Sequence, residues 1–189
     1  ANLQKANLSK ANLTNAMLVG ANLHKVDLTN VNLSWANLRD ADLSEADLIN
    51  VNLYNADLGW ADLSGADLSF ADLDFVTLTE ASLTGATLTR AKLPDADLTK
   101  TNLAGADLTK ANLGGADLSE ADLTGADLSN ANLYGATLFE ATLTKANLAG
   151  ADLSEADLSD ADLTEATLFG ATLFEATLTR AELDDADLT

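Results

Sequence analysis

The chain has 189 residues with 10 Lys and Arg against 30 Asp and Glu, a net charge of −20, and no Cys. Such an excess of carboxylates disfavours direct binding to nucleic acid or anionic lipid, and zero Cys removes disulfides and thiolate metal sites while leaving the redox compartment open. No apolar run approaches the ~20 residues that span a bilayer and no signal-peptide pattern stands before Ala1, so a soluble protein is expected, cytoplasmic by default.

From Ala1 onward the chain divides into 37 pentapeptides and a four-residue remainder, and Leu holds the third place of every unit. The unit is plainest in residues 116–130, ADLSE ADLTG ADLSN: a small residue, a polar residue, Leu, then two variable positions. On an α-helix successive leucines would advance by about 140° and form no stripe. On a straight strand consecutive Ala-x-Leu pairs would flip between faces. The conflict disappears when each Ala-x-Leu is a short extended side and the next two residues turn a corner. Gly at 20, 65, 85, 105, 115, 125, 135, 150 and 170 falls two places after Leu, where a type II turn needs positive φ. Pro94 falls at the other corner place, which suits a fixed φ near −65°. The chain is expected to wind as one coil over 1–189, a single all-β domain.

Units such as Ala106–Lys110 (ADLTK) and Ala151–Glu155 (ADLSE) resemble the pentapeptide-repeat family, and the match runs over the whole chain. The resemblance implies a right-handed quadrilateral β-helix with four units per coil, so about 9.5 coils of 20 residues stacked at ~4.8 Å into a rod about 45 Å long. A buried Leu contributes roughly 1.5–3 kcal/mol, whereas ordering five residues costs on the order of 5–10 kcal/mol. One unit cannot hold itself together; stacking must stabilise the whole.

In chain order, the first 26 residues carry Lys5, Lys10 and Lys25 and no acid, and Met17 and Val19 form a small apolar group near that end. Inward places are then enlarged at Val26, Val31, Val51 and Val76, and Thr101 is expected to bond its hydroxyl to nearby backbone. Residues 136–144, ATLFEATLT, recur at 171–179 on a different side of the coil, which favours duplication over a repeated binding site. Residues 152–187 hold eleven acids against Arg180 alone. The resulting polar axis, with open coil ends, allows end-to-end or dimeric self-association.

Little in the sequence points to catalysis. A Leu and Ala interior leaves no pocket of ligand size, and His24 stands at an outward corner without a nucleophile beside it, so no catalytic residue and no cofactor are expected. Asp27, Asp47 and Asp67 should stack in one column, yet an extended column offers few converging oxygens, while Ca²⁺ takes 6–8. They are read as solvated carboxylates, and no metal is expected. Thr-x-Thr segments at 77–79, 87–89, 142–144 and 177–179 scatter over three sides, which makes an ice-binding surface a poor reading.

All nine aromatic residues occupy corner places: Trp35, Tyr54, Trp60, Phe70, Phe75, Tyr134, Phe139, Phe169 and Phe174. Trp35, Tyr54 and Phe75 fall on one side in successive coils and Trp60 lies around the next corner, which makes these four the candidate partner-binding residues. The plainer alternative is rings lying flat over their neighbours and covering backbone. The favoured function is a non-enzymatic rigid scaffold or protein-interaction module with a protein partner, a basic one by charge. A second reading is mimicry of duplex DNA, which the resemblance implies because some family members bind DNA gyrase. Here 20 charges over about 45 Å give one per roughly 2.3 Å, against one per ~1.7 Å in a duplex. Those relatives mix Phe with Leu at the central place and carry loops that this chain lacks. A third reading is an engineered or consensus-derived array without an evolved partner.

Overall fold

The computed structural model describes Leu8 and residues 11–189; Lys5 and Lys10 of the basic N-terminal stretch lie outside the described residues. The residue before each leucine forms a parallel bridge with the residue 20 places on, from Asn12 with Asn32 to Thr167 with Asp187. Four pentapeptides therefore close one coil. The first side carries Leu23, Leu43 and Leu63, the second Leu28, Leu48 and Leu68, the third Leu13, Leu33 and Leu53, and the fourth Leu18, Leu38 and Leu58.

Between Ala21 and Leu168 every leucine, and every residue two places before one, is at most 2% exposed. The four Val residues take the same inward place in their units as the alanines. Thr101 is buried among them, and its hydroxyl donates to the Leu78 carbonyl at 2.8 Å. A buried hydroxyl is thereby satisfied without altering the coil.

The five backbone donors of residues 52–56 show how a unit is held. Asn52 N–H donates down one coil to Val31 O at 3.0 Å, and Leu53 and Asn55 donate up to Asp72 O at 2.7 Å and Asp74 O at 2.9 Å. Ala56 N–H closes the corner on Leu53 O at 2.9 Å. The fifth donor, Tyr54 N–H, goes to the Asn52 side-chain oxygen at 2.9 Å. Asp and Asn recur before Leu because their side chains can accept the N–H two residues on. Lys92 is a telling exception. It cannot accept, and the residue two places on is Pro94, which has no N–H to offer.

At the second corner place φ lies between 53° and 68° in every unit from Asn15 to Asp185. Only that central residue has positive φ, the signature of a type II turn. β-Branched residues tolerate this region worst. None occupies the second corner place, although Thr14, Val19, Thr29 and Ile49 occupy the first.

An added Cβ at Gly125 would meet nothing within 4 Å, so substitution there probes backbone conformation alone. Gly125→Val should destabilise the coil by about 1–3 kcal/mol, while Thr124→Val one residue earlier should cost under ~0.5 kcal/mol. Urea denaturation followed by circular dichroism reads both; equal midpoints for the two variants would contradict the corner geometry.

Candidate functional site

Along the third side the coil brings three of the four candidate residues together. Trp35 and Phe75 take second corner places and Tyr54 the first corner place of the coil between them. Trp35 N–H donates to Tyr54 O at 2.9 Å, and Phe75 N–H donates to Pro94 O at 3.1 Å. The backbone ladder therefore sets the rungs on which the rings stand. Ring centroids of Trp35 and Tyr54 lie 5.8 Å apart at an interplanar angle of 62°, and those of Tyr54 and Phe75 lie 5.8 Å apart at 77°. Both are edge-to-face contacts, each contributing ≈ 0.5–1.5 kcal/mol beyond area burial. The rings remain open to solvent: Trp35 is 54%, Tyr54 36% and Phe75 47% exposed.

Trp60, the fourth candidate, is held differently. The Arg39 guanidinium carbon sits 4.1 Å from the centre of a Trp60 ring, and Arg39 Nη1 reaches Asp57 Oδ2 at 3.2 Å. Gly59 makes room for this stack, since a Cβ there would stand 3.3 Å from both Arg39 Nη1 and Asp57 Oδ1. The coil repeat of 20 places Arg39 beside Gly59 and Trp60, so this group was open to discovery in the sequence once four units per coil were assumed. Arg90 lies over Phe70 at a longer 5.9 Å. The remaining aromatic residues, Tyr134, Phe139, Phe169 and Phe174, are also exposed.

Asp74, absent from the sequence candidates, lies directly between Tyr54 and Pro94 in the first corner column of the third side. Its Oδ1 is buried without a hydrogen-bond partner. Burial pushes the Asp74 carboxyl up, the Asp72 carboxylate pushes it further by charge and hydrogen bonding, and Lys92 only partly opposes them. Other carboxylates are settled more comfortably. Burial pushes Asp97 up, but the Thr99 hydroxyl and N–H together with the Thr79 hydroxyl outweigh it and hold the carboxyl below its ordinary range. The same arrangement of Thr109 and Thr89 holds Asp107 down against its burial.

Asp27, Asp47 and Asp67 do form the expected column. Each turns an oxygen inward to its own corner, accepting Thr29 N–H at 2.9 Å, Ile49 N–H at 3.3 Å and Ser69 N–H at 2.9 Å. Among the described residues no three or more His, Cys, Asp and Glu side chains are grouped so as to hold a metal ion. The His24 Nδ1 lies 2.8 Å from the Ser44 hydroxyl, on a side chain pairing between coils. Lys25 with Glu45, Lys100 with Glu120 and Lys145 with Glu165 form further pairs between coils, at 3.0, 3.5 and 3.7 Å. These exposed pairs are worth 0–1 kcal/mol. No helix among the described residues is long and apolar enough to cross a membrane.

The model for the family of pentapeptide repeats matches at residues 1–34, 32–69, 66–105, 101–138 and 131–173. Among solved structures, HetL, a pentapeptide repeat protein involved in heterocyst differentiation regulation from the cyanobacterium Nostoc sp. strain PCC 7120, is 42% identical over 98% of this chain and 88% of its own, with a TM-score of 0.55. A pentapeptide repeat protein of the Arabidopsis thaliana thylakoid lumen is 31% identical over 45% of this chain and 59% of its own, with a TM-score of 0.44. A trypsin-treated form of QnrB1, a plasmid-mediated fluoroquinolone resistance protein, is 20% identical over 89% of each chain, with a TM-score of 0.49. That match lends nothing to mimicry of a duplex. No curated protein sequence matches the chain. The chain winds as a right-handed quadrilateral β-helix.

The strain at Asp74 has a measurable sign. Its folded pKa lies above its unfolded value, so the native state holds more protons in that interval and stability falls as pH rises through it. Asp97 works in the opposite sense: its depressed pKa contributes stability above the unfolded value near 4 that is lost as pH falls through the folded one. Asp74→Asn should therefore raise stability at pH 7 by on the order of 0.5 kcal/mol, as expected for relief of neighbouring like charges. That gain should vanish near pH 3.5; a thermal melt showing the same gain at both pH values would rule out the ionised carboxyl as its cause.

Proposed function

The chain belongs to the pentapeptide repeat family, and on that premise we propose that it is a non-enzymatic scaffold that binds a protein partner through the Trp35, Tyr54 and Phe75 ladder, with Trp60 at its margin. The observation that carries this is the exposed edge-to-face ladder itself. Trp35 and Phe75 have φ of 61° and 58°, a region that costs an ordinary side chain roughly 1–2 kcal/mol. Asn15 and Asn55 fill the same corner column with residues better suited to it. Folding does not call for large rings there, whereas recognition does, because aromatic residues dominate interface energetics. HetL, which resembles this chain over nearly its whole length, is involved in regulation of differentiation, a role that fits a binding surface. The narrow core of Leu and Ala supports a binding role over catalysis.

Affinity capture from lysate of the source organism tests the proposal, comparing the wild-type chain with Trp35→Asn/Tyr54→Ser/Phe75→Asn. The replacements are residues already found in the same columns, so the coil should persist by circular dichroism. Proteins retained by the wild type should fall at least tenfold with the variant; equal recovery would remove the ladder as the contact.

A further inference from the structure

The kind of group that the ladder takes can be read from the protein's own surface. Among the described residues two cations sit over aromatic rings, and both are arginines: Arg39 over Trp60 at 4.1 Å and Arg90 over Phe70 at 5.9 Å. The lysines Lys25, Lys100 and Lys145 pair instead with Glu45, Glu120 and Glu165. A planar guanidinium stacks on a ring while still reaching a carboxylate, which a compact ammonium does less well. At Trp60 the complete unit is present: ring below, guanidinium above, and the Asp57 carboxylate beside it at 3.2 Å.

The third side offers rings and carboxylates of the same kind, with Lys92 its one cation and no arginine among the described residues. Trp35, Tyr54 and Phe75 supply three exposed rings at successive separations of 5.8 Å. The charged residues of that side from position 11 onward are Asp72, Asp74, Asp95, Asp152, Glu155 and Glu175 against Lys92 alone. Three of these acids lie in the coil of Phe75 and the next. Alternate side chains of an extended strand are ~6.6–6.8 Å apart, close to the ring separation. The spacing fits Arg-x-Arg along the edge.

We propose, resting on the interaction role above, that the ladder recognises an extended arginine-bearing segment of the partner, with guanidinium groups stacked on Trp35, Tyr54 and Phe75 and paired with Asp72, Asp74 and Asp95. The ladder is then the intermolecular counterpart of the Arg39 and Trp60 stack. Lysine would supply the charge but not the stacking. Selectivity between the two cations therefore separates this mode from general attraction to an acidic rod.

The test uses three synthetic peptides of alternating serine with arginine, lysine or citrulline, of equal length and carrying a fluorescent label. Binding is followed by anisotropy and, in a Trp60→Phe background, by emission of the remaining Trp35. The arginine peptide should bind saturably, at least tenfold tighter than the lysine peptide, with citrulline weakest and Trp35 emission quenched. Trp35→Asn/Tyr54→Ser/Phe75→Asn should lose at least tenfold in affinity for arginine, and Asp72→Asn/Asp95→Asn should lose severalfold. Phe139→Ser/Phe169→Ser, at corners away from this edge, should bind as the wild type does. Equal affinity for arginine and lysine, or undiminished binding by the ladder variant, would overturn the proposal. If lysate partners still depend on the ladder in that event, the arginine specificity alone fails; if they do not, the interaction role fails with it.

Discussion

The structure depends on the bond that closes each corner, from the N–H of the small inward residue to the leucine carbonyl, as from Ala56 to Leu53. It lets an extended chain turn after only a few residues while spending its other donors on the coils above and below. One donor is then left over at the first corner place, too far round the bend to join the ladder. The Asp or Asn before Leu reaches across to take it, as Asn52 does for Tyr54. Because the amide oxygen of Asn performs this task as well as a carboxylate, the fold requires an acceptor at that place and not a charge. The net charge of −20 is therefore a separable property of the surface. On the third side Asn12, Asn32 and Asn52 precede Asp72 in the same column without any change in winding.

Stacking turns a weak local unit into a rigid whole. Leucines that are completely buried in the middle coils become partly exposed at Leu173, Leu178 and Leu183, where fewer neighbours cover them. Stability in such an array is a sum over neighbouring coils, so a middle coil is better supported than an outer one. The Trp35, Tyr54 and Phe75 ladder stands on coils whose leucines are fully covered from both sides. Its rings stand on coils bonded to a neighbour on each side.

Much of this was open to a reader of the residues. Leucine at every fifth place fixes the interior, and Gly or Asn two places later announces positive φ. Once the family resemblance supplies four units per coil, Trp35, Tyr54 and Phe75 fall on one edge by counting in twenties. Lys92 and Pro94 were harder, because each looks like an isolated irregularity until the missing N–H of one is matched with the missing acceptor of the other. Asp74 was harder still. Its buried, unpartnered oxygen depends on how side chains settle at one corner, which is not a property of a repeat. The Arg39 stack on Trp60 needed both the count and the vacancy left by Gly59, a close approach that periodicity alone does not disclose.

The corners also explain why an aromatic ladder is an economical recognition device on this fold. A side chain on an ordinary loop must be ordered when a partner arrives, and each immobilised rotamer costs ≈ 0.5–1.5 kcal/mol. At Trp35 and Phe75 the backbone is already confined by positive φ and by bonds to the next coil. Each ring has only two side-chain torsions, and its edge-to-face neighbours restrict them. The ordering cost is therefore met during folding, within a coil whose core is stabilised by leucine burial. The mild conformational penalty of a large residue at a left-handed corner is offset by the same core. What remains at the surface is a set of preplaced apolar faces beside carboxylates, whose spacing is dictated by the coil repeat and not by the loop sequence around them.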